Sequence, residues 1–215
     1  MNIVVTGGAS GVGEALVARL TEHHVWVLDV QEPAVPQVEF LQTDLSDPAS
    51  IDAAIARLPD RLHGLANVAG IAQAARPETV LAVNFLGLRH LSQSVLPRLG
   101  GGRIVNVSSV AGRDWHSRRD RLLPLLQTPD FASGYQWCRE NAEQLQRDPY
   151  TFSKRLVTAY TLQQALEVLH QDARINCVSP GPILTPLYPQ FESLMGKAQS
   201  DWMIAQTGRA ATAED

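Results

Sequence analysis

At 215 residues and 45% hydrophobic, the chain can bury one substantial core and is read as a single domain. A formal charge of −4 and a pI near 5.8 leave no electrostatic footprint for nucleic acid, and no apolar run approaches membrane-spanning length. Met1 leads straight into strand-like residues without a charged n-region and cleavage site, so a cytoplasmic location is expected. Two cysteines are too few for a disulfide framework; Cys177, in the strand-like run from Arg174 to Val178, reads as a small buried hydrophobe. The six histidines show none of the spacings that build a zinc site, and no metal is expected.

The first element is a short apolar run, Ile3 to Thr6, that ends in Gly7-Gly8-Ala9-Ser10-Gly11-Val12-Gly13 and passes into an amphipathic helix predicted over Gly13 to Thr21. Glycines at 7, 11 and 13 let the backbone turn tightly and approach a pyrophosphate, whose charge the free N–H groups and helix dipole favour. Val25 to Asp29 reads as the second strand, with Asp29 at its end about 20 residues after the first glycine, where a ribose-binding acid belongs. Further strands are predicted at Glu39 to Gln42, Gly64 to Val68, Arg103 to Val107 and Arg174 to Val178. Helices are predicted at Ala49 to Ala56, Pro77 to Leu96 and Pro149 to His170. Pro48 and Pro77 suit first turns, and Pro97 with Gly100-Gly101-Gly102 ends the third helix. This alternation predicts an α/β fold, a Rossmann-type doubly wound parallel sheet. Ligands of such sheets lie beyond the carboxyl ends of the strands, where Gly7, Asp29, Asn67, Ser109 and Pro180 fall.

Tyr150 and Lys154 stand four apart in a run whose cap and first turn suit Asp148 and Pro149, so phenol and ammonium share one helix face. With the glycine turn, this chain resembles a classical short-chain dehydrogenase/reductase in order from Asn2 to about Arg209. Thr6 to Gly13 is similar to the family's TGxxxGxG, Asp44-Leu45 to its adenine-side acid, and Asn67-Val68-Ala69-Gly70 to its NNAG with one change. Asn84, Ser109, Tyr150 to Lys154 as YxxSK, and Pro180-Gly181 with Thr185 occupy the family's later positions. The resemblance implies an NAD(P)-dependent alcohol or carbonyl oxidoreductase. It makes Tyr150 the acid/base, Ser109 the donor to the substrate oxygen and Ser108 the rejected neighbour. Lys154 is the tyrosine's electrostatic partner and ribose contact, and Asn84 binds a water linking that lysine to solvent. The alternative for Asn84 is a helix-interior polar residue satisfying backbone. Cofactor contacts are implied for Gly7, Ser10, Gly11, Val12, Gly13, Asp29, Asp44, Leu45, Asn67, Ala69, Gly70, Tyr150, Lys154, Pro180, Gly181, Ile183 and Thr185. Asp29, followed by Gln31 and Glu32 with no basic residue, predicts NAD over NADP.

The chain runs 41 positions from Ser109 to Tyr150, longer than in most family members, and the surplus reads as a helical insertion over Arg113 to Asp148. Its halves are predicted as helices at Trp115 to Leu126 and Pro129 to Gln146. The insertion either walls the substrate pocket, with Trp115 or Trp137 closing one side, or blocks a subunit interface, or is a surface-packed hairpin. Enlarged segments of this kind resemble the branch containing bacterial 3α-hydroxysteroid dehydrogenase/carbonyl reductase and coniferyl-alcohol dehydrogenase, as does Asn176 to Pro182 with Thr185-Pro186. That resemblance implies a hydrophobic steroid or aromatic substrate, and the family's usual interface implies a homodimer, here disfavouring a tetramer. Leu187, Tyr188, Phe191, Leu194, Met195, Trp202 and Met203 in the segment 182–209 form an apolar substrate lid or pack as core. The family's last strand is not recognisable before Asp215, which leaves the strand at Arg174 to Val178 as an edge. An NAD(P)-sensing regulatory protein on the same fold is the non-enzyme alternative, against which the full Asn, Ser, Tyr and Lys set argues.

Overall fold

The computed structural model describes residues 1–215. Its first strand β1 (Asn2–Thr6) leads through the glycine turn into α1 (Gly11–Arg19), then β2 (His24–Asp29), β3 (Glu39–Gln42) and α2 (Pro48–Ile55). Next come β4 (Gly64–Asn67), α3 (Pro77–Leu81), a π-helical turn (Ala82–Gly87), α4 (Leu88–Val95) and β5 (Arg103–Val107). The strands form one parallel sheet in the order β3-β2-β1-β4-β5-β6, where β6 is Arg174–Val178. Val4, Val5, Val27 and Leu28 are fully buried because both faces of this sheet are covered, which is why its strands read as continuous apolar runs. One core lies under α1 (Val5, Val17, Val25, Val27). The larger one, on the other face, joins the central strands to α3, α4 and the later helices.

Local chemistry explains most boundaries. The Asp47 carboxylate accepts the Ala49 N–H at 3.0 Å with Pro48 in the first turn of α2, so one orphan donor is satisfied and the proline loses nothing. The long helix Pro149–His170 starts the same way: Asp148 accepts from Thr151 N at 3.0 Å and Pro149 opens the turn. The predicted helix Pro77 to Leu96 is not one regular rod, because Ala82–Gly87 widens to π geometry before α4 resumes.

The insertion folds as a short 3₁₀ turn (Trp115–Arg118) followed by α5 (Arg119–Leu126), α6 (Phe131–Glu140) and α7 (Ala142–Leu145), which hand over to α8 (Pro149–His170). The second predicted helix is interrupted at Asn141, whose side chain donates to the Trp137 carbonyl at 2.9 Å in competition with the helix backbone. This is no surface decoration. Leu122, Leu125, Phe131, Cys138 and Leu145 are buried members of the larger core. At about 1.5–3 kcal/mol for each large side chain, the hairpin's burial stabilises the fold by on the order of 10 kcal/mol. Beyond β6, a small two-stranded ribbon pairs β7 (Ile183–Leu184) with β8 (Ala211–Thr212), and α9 (Tyr188–Met195) and α10 (Lys197–Thr207) lie between them. In the main sheet β6 pairs only with β5 and forms one edge. No helix is long and apolar enough to cross a membrane.

Candidate active site

The glycine turn is shaped by close approach. Gly7 has φ +71°, and a Cβ there would begin 2.7 Å from Ala69 Cα, so this turn rests directly on the loop after β4. At Gly13 a Cβ would fall 1.9 Å from the Gly7 carbonyl oxygen, which lets α1 start against the turn and aim its unpaired N–H groups outward. Ser10 caps α1 in extended conformation without a side-chain hydrogen bond, leaving its hydroxyl and the first-turn N–H groups, including that of Val12, for a ligand. Gly11 meets Thr185 across the turn, its virtual Cβ 3.3 Å from Thr185 Cβ. Thr6, given no role by the sequence, joins the two halves: its buried hydroxyl accepts from Val68 N and Ala69 N at 3.0 and 3.1 Å. A strand-final threonine next to a glycine turn was the only available signal.

On the adenosine side, Asp29 ends β2 with one oxygen accepting from Ala9 N at 3.0 Å and the other from Gln31 N at 3.1 Å. These bonds fix the carboxylate beside the glycine turn while leaving lone pairs open. Asp44 is exposed and held by Ser46, whose N–H and hydroxyl both donate to Oδ1, while the side chain of Leu45 is buried in the core.

Asn67 corrects the sequence reading. Its side chain is 2% exposed and donates to Ser92 Oγ at 2.9 Å and Asn106 Oδ1 at 2.8 Å. Asn106 in turn donates to Thr161 Oγ1, so Asn67 belongs to a polar network between the sheet and its covering helices. Any dinucleotide contact here falls to the backbone of residues 67–70. The alternation of side chains along a strand decides this, and the position within a motif does not reveal it.

The four residues expected to act together come from the π-turn (Asn84), the carboxyl end of β5 (Ser109) and the first turns of α8 (Tyr150 and Lys154). Ser108 is spent structurally, donating to the Lys154 carbonyl at 2.9 Å and lying 2.7 Å from the Thr158 hydroxyl. Ser109 caps the 3₁₀ turn Val110–Gly112, accepting from Ala111 N at 3.2 Å, and its hydroxyl lies near enough to the Tyr150 phenol to oppose a rise in its pKa. A side chain at Gly70 would start 3.3 Å from Asn84 Oδ1 and 3.4 Å from Lys154 Nζ, so both polar ends abut its backbone. Lys154 donates to the Val107 carbonyl at 2.8 Å, and its ammonium lies 5.8 Å from the Tyr150 ring centroid. The Asn84 amide is occupied: Oδ1 accepts from Ile71 N at 2.8 Å, and Nδ2 donates to Ile71 O and Ser153 Oγ. The side chain therefore does what the alternative reading described. A water near Asn84 has the second lone pair of Oδ1 and the backbone of the π-turn to bind.

Burial governs the protonation of the pair. Desolvation lowers Lys154 to about 8, because the buried ammonium loses its hydration. Desolvation also raises the Tyr150 phenol; the Ser109 hydroxyl opposes that shift and the Asp148 charge reinforces it. With its pKa raised above the ordinary value, Tyr150 is a neutral proton donor as it stands. Pro180 accepts from Val110 N at 3.0 Å, which ties its loop to the Ser109 turn; Gly181 is exposed and Ile183 enters the ribbon with β8.

Of the expected apolar lid, Phe191 reaches the site, its ring centroid 4.8 Å from that of Tyr150. Leu194, Met195 and Trp202 are exposed instead. Trp137 does not wall the Tyr150 side of the helix either. It stacks on Phe152 at 6.3 Å, on a face of α8 turned away from Tyr150.

Comparison with known proteins agrees with this architecture. Coniferyl-alcohol dehydrogenase of Pseudomonas sp. (strain HR199 / DSM 7063) is 36% identical over 217 residues, covering 99% of this chain and 85% of that protein. The sex determination protein tasselseed-2 of Zea mays is 29% identical over 215 residues, covering 86% of this chain and 55% of that one. The crystal structure of 3-alpha-hydroxysteroid dehydrogenase from Pseudomonas sp. B-0831, complexed with NADH, is 26% identical with a TM-score of 0.75, covering 100% of this chain and 85% of that one. Residues 1–118 match the family described as short chain dehydrogenase, and with the glycine turn, the parallel sheet and the full-length similarity this chain belongs to the short-chain dehydrogenase family.

Proposed function

We propose that this oxidoreductase is NAD-dependent and interconverts a hydrophobic alcohol, steroidal or aromatic, with its carbonyl, using Tyr150 as the acid/base. The observation that carries the reading is the Lys154 ammonium held against the Gly70 backbone and 5.8 Å from the Tyr150 ring, with the Ser109 hydroxyl near the phenol, at the strand ends next to the glycine turn. The residues present suit a dinucleotide: Gly7 and Gly13 form a backbone cradle a Cβ would fill, α1 presents free N–H groups, and Asp29 presents acceptors to ribose hydroxyls. When bound, NAD supplies the hydride-accepting ring.

This chain's residues would do the rest. Ser109 donates a hydrogen bond to the substrate oxygen and stabilises negative charge developing there. Tyr150, kept neutral by burial, gives its proton to that oxygen in carbonyl reduction. In alcohol oxidation the phenol must first lose its proton, and the Lys154 ammonium, charged below about pH 8, is the nearby cation available to favour that loss. Asn84 positions the segment around Ile71 and Ser153 on α8. Phe191 over the phenol favours an apolar substrate, in keeping with the alcohol and the steroid for which two relatives are named. A homodimer is proposed as the working assembly.

The test is Tyr150→Phe, assayed with NAD and a panel of steroid, aromatic and aliphatic alcohols by absorbance of the reduced nicotinamide. Turnover should fall by at least about a hundredfold, the usual contribution of a positioned acid/base, while NAD binding is largely retained. Near-normal activity would remove the tyrosine from the mechanism.

A further inference from the structure

A cavity of about 340 Å³ lies between the inserted hairpin and the first turns of α8. Its wall carries four arginines, Arg118, Arg121, Arg147 and Arg155, together with Trp137 and Phe152. The rings of the last two are stacked 6.3 Å apart and tilted by only 9°. Such a cluster is unexpected in a chain of net charge −4.

The positive charge here is only partly neutralised. Asp114 takes Arg155 in a two-pronged pair, 2.7 Å to Nε and 2.9 Å to Nη2, and lies 3.9 Å from Arg118. Asp148 is engaged in capping α8. Arg121 and Arg147 have neither an ion-pair nor a hydrogen-bond partner, so two guanidinium groups at the rim remain free. A guanidinium presents two parallel donors matched to a carboxylate or phosphate, and an indole beside a phenyl ring offers an apolar wall for a flat ring. The volume is at the small end for ligand sites, enough for roughly one ring and its acid group.

We propose that this cavity is a second small-molecule site for an aromatic anion, a ring bearing a carboxylate or a phosphate. It is separate from the proposed catalytic site. At about 100° per residue, Phe152 leaves α8 about 160° away from both Tyr150 and Lys154, and Arg155 about 100° or more away from each. A molecule held here cannot be the one being oxidised. The inserted segment supplies most of the wall, which gives this enlargement a ligand of its own.

Calorimetric titration of the full chain, without nicotinamide, tests the proposal with phenyl phosphate, benzoate, inorganic phosphate and phenol. At least one aromatic anion should bind at a single site at least about tenfold more tightly than inorganic phosphate or phenol, since both ring and charge contribute; which of the two binds better identifies the acid group. Arg121→Gln/Arg147→Gln, two exposed positions outside the core, should weaken that binding by about tenfold or more with an unchanged melting temperature. Tyr150→Phe should bind like the unmodified protein, which separates this site from the proposed catalysis. Absence of binding by both aromatic anions, or equal binding by the double variant, would overturn the proposal.

Discussion

Replacing Arg89 by methionine should destabilise the protein by about 3 kcal/mol, although Arg89 touches no proposed catalytic residue. It is 3% exposed on α4. Its guanidinium donates to the carbonyls of Leu125, Thr128 and Asp130 at 3.3, 3.0 and 2.8 Å and to the Thr128 hydroxyl at 3.1 Å. These acceptors close α5 and open α6, so one buried cation holds both limbs of the hairpin. The substitution leaves the Thr128 carbonyl without a donor, at about 1–3 kcal/mol when water cannot replace it, and takes one donor each from the Leu125 and Asp130 carbonyls, which keep Thr128 and the Gly134 N–H, at about 0.5–1.5 kcal/mol each. Relief of the charge's own desolvation, which already lowers this arginine's pKa, offsets part of the loss. For a chain of this size the net figure corresponds to a fall of roughly 6–12 °C in melting temperature. Urea and thermal unfolding followed by circular dichroism measure it. Arg89→Lys should lie between the two, because one ammonium cannot span the same acceptors. A loss below about 1 kcal/mol would show that the hairpin is held by its apolar contacts alone.

Lys154 gives a pH signature: its pKa is about 8 when folded and near 10.5 when unfolded, so between those values the unfolded chain binds more protons and stability rises with pH. The unmodified protein should therefore gain up to about 3 kcal/mol relative to Lys154→Met from pH 8 to 10.5, as measured by urea midpoints; a parallel pair of curves would contradict the buried ammonium. Asp29 should make NADH bind at least about tenfold more tightly than NADPH in a fluorescence titration, because a 2′-phosphate would face a carboxylate already fixed by Ala9 and Gln31; equal affinities would refute that. Light scattering at micromolar protein should give a dimer mass, and a tetramer would refute the idea that the hairpin crowds the second interface.

The strands were legible to within about a residue because each is an apolar run ended by turn residues, and all six stand in the expected sheet. The start of α8 was equally readable from Asp148 and Pro149. What failed were properties that depend on neighbours distant in sequence. The π-turn at Ala82–Gly87 has no distinctive periodicity, and the placement of Leu45 against Gly87 appears only in three dimensions. The inward turn of Asn67 follows from strand pleat. Trp115 or Trp137 was expected to close one side of the pocket unless the hairpin packed on the surface, and stacking on Phe152 places Trp137 behind α8. The phenol's raised pKa was hidden as well, since a sequence displays the charge of Lys154 but not the burial of the phenol itself.

The last two of these share a physical origin in α8, a helix used on two sides. Tyr150 sits in its first turn, the part of any helix that frays most readily, whereas proton transfer demands a phenol held to within about half an ångström. Asp148 caps that turn, Trp137 stacks on Phe152, and Asp114 grips Arg155 at 2.7 Å, so three contacts from the insertion or its junction bear on the helix's first two turns. None of them points into the proposed reaction site. They restrain the back of the helix whose front carries Tyr150 and Lys154. The length between Ser109 and Tyr150 therefore acts first as a brace on the tyrosine's own helix, and occupancy of the arginine-lined cavity would bear on that same brace.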